Sequence, residues 1–581
     1  MSVQPQKNTS ISIRFVIFFI LMNLVVIFAN VPIILRAAKT PHDRIFPYVH
    51  SDWPHDYYLY LAVINQGENG RFLYQDPYST EKMSKGVFYT FFTGIGQVAG
   101  LFHLSPIAAY HLTIIIFTEI FLILVYFLSG KILSRKNAIW GAIFGLLGTI
   151  SPTLMFAQPI YFPISMPWWI VLDALNRIYD LPHYIASEAF LLAAILLVFL
   201  FFRKPKLKYA LLAAISIFIG GMILPSVLIP VAVGIPIAYF IYIARIYFEI
   251  KRVTRARYPV NLQPNLLGSE WHDPKRNMAK LKLIINLQLI KGFSVIIFAI
   301  LACYAIIKYQ VTTGFPWSTW VSWGVERWNW GEPDFNRNLL EVFGILPLLS
   351  IPAVYHAVKK NSWELLFISV WAATPFIMLP FVNPFGIAKI RLVEEAPYIP
   401  LGILSGYTIF KIIPPIKKRL IQYSLIVLFF ATTLPSSFKL WKTRMDYIKN
   451  EPVYDHIYIP KTSVDAMKFI KENVPKNSVF LSNEKMGIII PAFNPTISYF
   501  GHVTQTMDYQ AKEQNVDNFF GGKWTSQEAY KFLRDNGINY IYYGWQEKDL
   551  GGDINKYSFL EKIFDNGPVK IYQIKLTNPL L

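Results

Sequence analysis

The chain returns repeatedly to apolar runs close to the twenty residues that a bilayer core demands of a helix. They fall at Ile11–Leu35, Ala108–Leu128, Ala138–Met155, His183–Phe202, Ala210–Leu224, Leu228–Ile246, Gly292–Tyr309, Leu339–His356, Leu365–Phe381, Ile399–Ile413 and Tyr423–Leu434. With 54% of 581 residues hydrophobic and 16% charged, the pattern predicts a polytopic α-helical membrane protein of about 11 transmembrane helices.

The charges of this chain then set its orientation. The net charge of +19 does not point to nucleic acid, because the lysines and arginines sit in short loops between apolar runs. Lys131, Arg135 and Lys136, then Arg203–Lys208, Lys251–Lys282, Lys359-Lys360 and Lys417-Lys418-Arg419 all alternate onto one side. That side carries the N-terminus and is expected to be cytoplasmic. The opposite loops, Thr40–Val87, Phe156–Pro182, Thr312–Arg337 and Asn383–Tyr398, are longer, aromatic and acidic. Cys303 is the lone cysteine and lies within an apolar run, so neither an intrachain disulfide nor a Cys-based metal site can form. The first apolar run is too long for a signal-peptide core and lacks a small-residue cleavage site, so it is expected to remain as an anchor.

The domain plan is a membrane module over 1–436, a linker over 437–460 and an accessory extracytoplasmic α/β domain over 461–581. In the last of these, β-rich runs (Ser478–Leu481, Gly487–Pro491, Tyr540–Tyr543, Val569–Ile574) alternate with helical patterns (Val464–Glu472, Ser526–Asn536).

Chemistry is expected in the first outer loop. His50-Ser-Asp52-Trp-Pro-His55-Asp56-Tyr-Tyr groups acids, histidines and aromatics where simply crossing a bilayer needs none of them. Asp56 opens a short aromatic helix, where the positive end of the helix dipole favours a carboxylate. That placement suits a general base and equally suits a helix cap. The chain has no phosphate-binding glycine loop: Gly521-Gly522-Lys523 lacks the leading glycine, and Gly94-Ile-Gly96 reads as part of an apolar helix.

Four phrases resemble the GT-C superfamily of integral-membrane glycosyltransferases, in particular bacterial members. They are Asp56-Tyr-Tyr-Leu-Tyr-Leu through Gly67 with Asp76-Pro-Tyr-Ser-Thr-Glu81, Leu181-Pro-His183-Tyr, Ile390-Arg391-Leu-Val-Glu394-Glu, and Ile490-Pro-Ala with Tyr499-Phe-Gly501-His502. The resemblance implies a GT-C-like membrane fold and a sugar donor carried on polyprenyl phosphate or diphosphate. It also implies a glycan, lipid or protein acceptor and no nucleic acid. By position it makes Asp56 the base that takes the acceptor hydroxyl's proton, with Asp52 in reserve.

An outward-facing transferase must draw its donor from the lipid phase, and the departing lipid phosphate calls for a cation. Arg391 fits that demand, or else pairs with Glu394 or Glu395 at the interface. His183 is a second candidate, with Arg177 and Lys389 behind it. Trp317–Trp330 offers flat rings either for a sugar or for the bilayer interface. No cofactor is expected. A divalent metal is possible, but Asp52-x-x-x-Asp56 departs from the Asp-x-Asp spacing of some members of the superfamily, and the histidines show no paired ligand spacing beyond His50/His55. Two rivals stand beside this reading. One is a lipid or saccharide transporter or flippase, for which Glu119 and Glu188 are the acids within spans. The other is a non-catalytic envelope scaffold.

Overall fold

The computed structural model describes residues 12–49, 54–149, 174–175, 177–179, 181–256, 287–319, 342–360, 362–382, 387–413 and 419–575. Asp52, the reserve base, therefore lies outside the described residues, as do His50 and the part of the tryptophan-rich loop beyond Thr319.

Every expected apolar run falls on a helix. In chain order the helices to the end of the membrane module are α1 (Ile13–Ala29), α2 (Val31–Ala38), α3 (Pro54–Glu68), α4 (Thr90–Leu101), α5 (Pro106–Leu133), α6 (Ala138–Leu147), α7 (Pro182–Arg203), α8 (Leu207–Ile223), α9 (Leu228–Ala256), α10 (Leu287–Val311), α11 (Leu346–Lys360), α12 (Trp363–Met378), α13 (Tyr398–Tyr407) and α14 (Arg419–Asn450). Among the described residues five helices are long and apolar enough to cross a membrane: α5, α7, α10, α12 with its 3-10 extension to Phe381, and α14. The pair α1 and α2, bent by 40°, makes a sixth if taken as one span, and shorter apolar helices account for four more runs, while the described part of Leu339–His356 leads into the 15-residue α11.

The chain forms two compact units. The first comprises Met1–Ala29, Phe117–Ile307 and Val325–Lys442. Small residues set its closest helix packing. A Cβ on Gly402 of α13 would lie 2.0 Å from the Gly145 amide nitrogen of α6, so a larger residue there would push the helices apart. Exposed Ile215, Phe298, Leu301 and Val427 would be costly in water and are what a lipid-facing surface requires.

The second unit comprises Asn30–Ile116, Lys308–Gly324 and Thr443–Leu581. Within it α3 and α4 touch backbone to backbone: a Cβ on Gly67 would sit 2.0 Å from the Thr93 carbonyl, and one on Gly96 1.9 Å from that of Ile64. The expected apolar helix around Gly94 and Gly96 is α4. Trp317 is fully buried against Tyr74, Phe88 and Tyr89, so this ring serves the core.

The tail of this unit is the expected α/β fold. Two short strands, β1 (Arg44–Ile45) and β2 (Ile459–Pro460), pair antiparallel. A five-stranded sheet follows, built from β3 (Val479–Leu481), β4 (Ile497–Ser498), β5 (Tyr540–Tyr543), β6 (Leu560–Asp565) and β7 (Lys570–Ile574) in the order β4-β3-β5-β7-β6. The first three in this order are parallel, β7 pairs antiparallel with β5, and β6 pairs antiparallel with β7. The helices are α15 (Lys461–Asn473), α16 (Glu484–Phe493), α17 (Tyr509–Phe520) and α18 (Ser526–Asp535). Leu481, Val516, Phe519, Leu533, Ile541 and Ile574 fill the core between sheet and helices.

Two expectations need correction here. Gly487–Pro491 is helical, because Asn483 caps α16 by accepting the Met486 amide at 3.0 Å, and a short apolar run by itself fits strand and helix alike. Residues 437–450, expected to begin a linker, are the last turns of α14, which continues past Pro435 without a break.

Candidate active site

The second unit holds Asp56. Its helix, α3, is fixed along its length. Tyr57 donates to the Pro47 carbonyl at 2.6 Å, Tyr58 to that of His456 at 2.8 Å, and Asn65 to that of Pro491 at 3.1 Å. Asp56 lies in the first turn with its side chain 44% exposed.

His502 meets it. The buried imidazole, 3% exposed, places Nε2 at 3.1 Å from Asp56 Oδ1. The Thr504 backbone amide approaches His502 Nδ1 at 3.3 Å, and a backbone N–H can only donate. Nδ1 is therefore the acceptor and Nε2 carries the proton, so His502 donates to the carboxylate. The second Asp56 oxygen is left for another proton.

Two close approaches position His502. A Cβ on Gly487 would stand 1.9 Å from the Phe500 carbonyl, and one on Gly501 2.8 Å from the Tyr78 ring. The loop after α3 is sewn to the same region. Ser498 donates its amide to the Pro77 carbonyl at 2.8 Å, Tyr74 donates to Gln505 at 3.0 Å, and Ser79 donates to the Gln505 carbonyl at 3.1 Å. Asp76 accepts the Tyr78 amide at 2.7 Å through Oδ1, while its buried Oδ2 has no hydrogen-bond partner among the described residues. Burial pushes its carboxyl well above the usual range.

Rings continue outward from the pair. His55 stands 6.3 Å from His502 and 6.5 Å from His456, between centroids, and His456 stacks on Tyr454 at 5.3 Å. Burial holds both His55 and His456 below the ordinary imidazole value, His456 at about 4. Among the described residues no three His, Cys, Asp or Glu side chains gather closely enough to hold a metal ion.

The other expected residues belong to the first unit. Arg391 pairs with Glu394 at 2.7 Å, its own side chain 38% exposed and the glutamate's fully buried. Tyr184 and Ser226 also donate to Glu394, at 2.8 and 3.3 Å. Glu395 is fully buried, and neither of its carboxylate oxygens has a partner among the described residues. Burial, and then the charge of Glu394, push its carboxyl well up.

Arg177 is 1% exposed, donates to the Gly145 and Gly148 carbonyls at 3.2 and 2.7 Å, and lies over the Tyr398 ring at 4.3 Å. His183 sits in the first turn of α7 with its ring 4.5 Å from that of Tyr184, and Lys389 is 9% exposed.

His502, the best polar candidate of the tail, reads from sequence alone as structural, and nothing in the sequence points to His456. Spacing carries no sign of a pair separated by 446 positions; the small-residue phrase ending in His502 was the available signal.

No family model and no curated protein matches the chain. Several solved structures resemble it. The oligosaccharyltransferase AglB from Archaeoglobus fulgidus, in complex with an inhibitory peptide and a dolichol-phosphate, is 13% identical over 97% of this chain and 75% of its own, with a TM-score of 0.48. ArnT from Cupriavidus metallidurans, bound to undecaprenyl phosphate, is 9% identical over 95% and 98%, with a TM-score of 0.44. The arabinofuranosyltransferase AftD from Mycobacteria is 12% identical over 96% and 42%, with a TM-score of 0.46. Likeness of this degree concerns the path of the chain and assigns no chemistry.

Proposed function

We propose that this chain is a membrane glycosyltransferase that moves a sugar from a polyprenyl-phosphate or diphosphate donor to a cell-envelope acceptor on the outer face. The observation that carries the reading is the Asp56–His502 hydrogen bond, with the His502 tautomer fixed by Thr504.

In this mechanism His502 holds one carboxylate oxygen of Asp56, and the other takes the proton of the acceptor hydroxyl. The hydroxyl oxygen attacks the anomeric carbon as the bond to the lipid phosphate oxygen breaks, inverting the centre. His502 acts through Asp56 and is a positioning residue. General-base catalysis of this kind contributes on the order of 10² to 10⁴ in rate. Arg391, partly exposed, is the candidate for the departing phosphate, with its charge shared between that phosphate and Glu394. His183 and Lys389 are second-rank candidates.

The donor class is tested with full-length protein in proteoliposomes. A radiolabelled sugar should be transferred from polyprenyl phosphate and not from a nucleotide sugar. Transfer from the nucleotide sugar alone would end the reading. In this reading the N-terminus is cytoplasmic and the C-terminal domain lies outside; an exported-phase reporter fused after Leu581 should be active, and a silent one would reverse the scheme.

The transporter reading keeps one observation in its favour, the buried carboxyl of Glu395, which has no hydrogen-bond partner among the described residues. If it were right, Glu395→Gln would abolish lipid-linked sugar movement across liposomes, and the wild type would show no sugar transfer.

A further inference from the structure

Resting on the transferase reading, the rings beside Asp56 have a use that the base and its partner leave unassigned. Starting from His502 they run His55, His456, Tyr454, with successive centroids 6.3, 6.5 and 5.3 Å apart. The far end is open, since Tyr454 is 37% exposed and Val453 beside it 50%. The near end is the carboxylate itself. His55 stands edge-on to His502 and His456, at 66° and 88°, while Tyr454 stacks on His456 at 20°; exposed ring faces take sugar C–H groups and polar ring edges bond sugar hydroxyls.

This track is firmly held. The Tyr454 carbonyl accepts from the Ile457 and Tyr458 amides at 3.0 and 2.8 Å. Asp455 is paired with Arg44 and also accepts from Gln546 at 3.2 Å, and the His456 carbonyl accepts from Tyr58 at 2.8 Å. The backbone of the segment is thus pinned on three sides, while His456 Nδ1, a buried ring nitrogen, has no hydrogen-bond partner among the described residues. A segment braced this well holds its rings in place for a ligand that arrives from outside.

We propose that Tyr454, His456 and His55 form an acceptor track beside Asp56 that takes a saccharide of two or more sugar rings, its outer ring lying on Tyr454. In an inverting displacement the acceptor and the leaving group stand on opposite sides of the anomeric carbon. Groups adjoining the base therefore meet the acceptor, and the lipid phosphate lies away from them. The acceptor is then a glycan, with its attacking hydroxyl at Asp56.

The test uses full-length protein in lipid nanodiscs free of glycoside detergent, with maltose, lactose and chitobiose as probes in saturation-transfer NMR. At least one disaccharide should receive saturation from the wild type. In Tyr454→Ala the transfer should fall about fivefold, since one aromatic contact is lost, and in Tyr454→Phe it should persist. His456→Ala should weaken it as well, with an unchanged thermal midpoint reporting an intact fold. Disaccharide transfer that is undiminished in Tyr454→Ala, or absent from the wild type, would overturn the proposal. An Asp56→Asn protein should still bind the probe. A failure of the catalytic role of Asp56 would thus appear in transfer rates and leave the binding result standing.

Discussion

His502 Nε2 donates a hydrogen bond to Asp56 Oδ1 at 3.1 Å, joining the start of α3 to the C-terminal domain across 446 positions of sequence. The consequence is that a domain expected to be accessory supplies a partner to the proposed base. It does so rigidly, because Gly487 and Gly501 allow backbone contacts that no larger residue would permit.

Asp76 is a buried acid whose carboxyl burial pushes well above the usual range. Asp76→Asn should preserve the Tyr78 amide bond and stay within about 1 kcal/mol of the wild type, with transfer retained. Asp76→Ala leaves that amide without its acceptor and should cost about 1–3 kcal/mol. Thermal or denaturant unfolding of the two variants decides the matter. An Asn variant as damaged as the Ala variant would mean that Asp76 is ionised and opposed to nearby Lys512.

The imidazoles give stability a pH dependence of known sign. Burial first, then the charges of His55 and Lys485, hold His456 at about 4, below the ordinary imidazole value of 6.5. Between those values the unfolded chain binds a proton that the folded chain does not, so stability falls as pH drops from 6.5 towards 4 and is level above 6.5. Buried acids raised above their usual range, such as Glu547 at about 7, act in the opposite direction. The measurement is therefore a difference: the loss in thermal midpoint from pH 7.5 to pH 5 should be smaller in His456→Asn than in the wild type. An equal loss in both would mean that His456 does not titrate as described.

How much of this could be read from sequence differs by element. The membrane helices were legible because lipid offers no partner to a backbone amide, so every crossing must announce itself as a long apolar run. Within the tail β3, β5 and β7 were legible from β-branched and aromatic runs, and α15 and α18 from their periodicity. Gly487–Pro491 was misread because five apolar residues satisfy either period, and the deciding sign was the Asn483 cap just upstream. Residues 437–450 looked like a linker because the hydropathy drops there, although the helical backbone has no reason to stop with it. Asp56 could be singled out by its place at a helix start. Its partnership with His502 could not, since it depends on close backbone approach between distant segments, and Arg391 could be placed near Glu394 and Glu395 without deciding which of them it joins.

The catalytic role of Asp56 is tested most directly by measuring sugar transfer from a polyprenyl-phosphate donor by full-length protein carrying Asp56→Asn, His502→Ala or His502→Gln. The Asn variant should lose on the order of 10² to 10⁴ in rate. The His502→Ala variant should lose less and shift its pH profile, while His502→Gln, which restores an N–H donor, should recover part of the rate. Folded Asp56→Asn protein that transfers sugar at the wild-type rate would contradict the account.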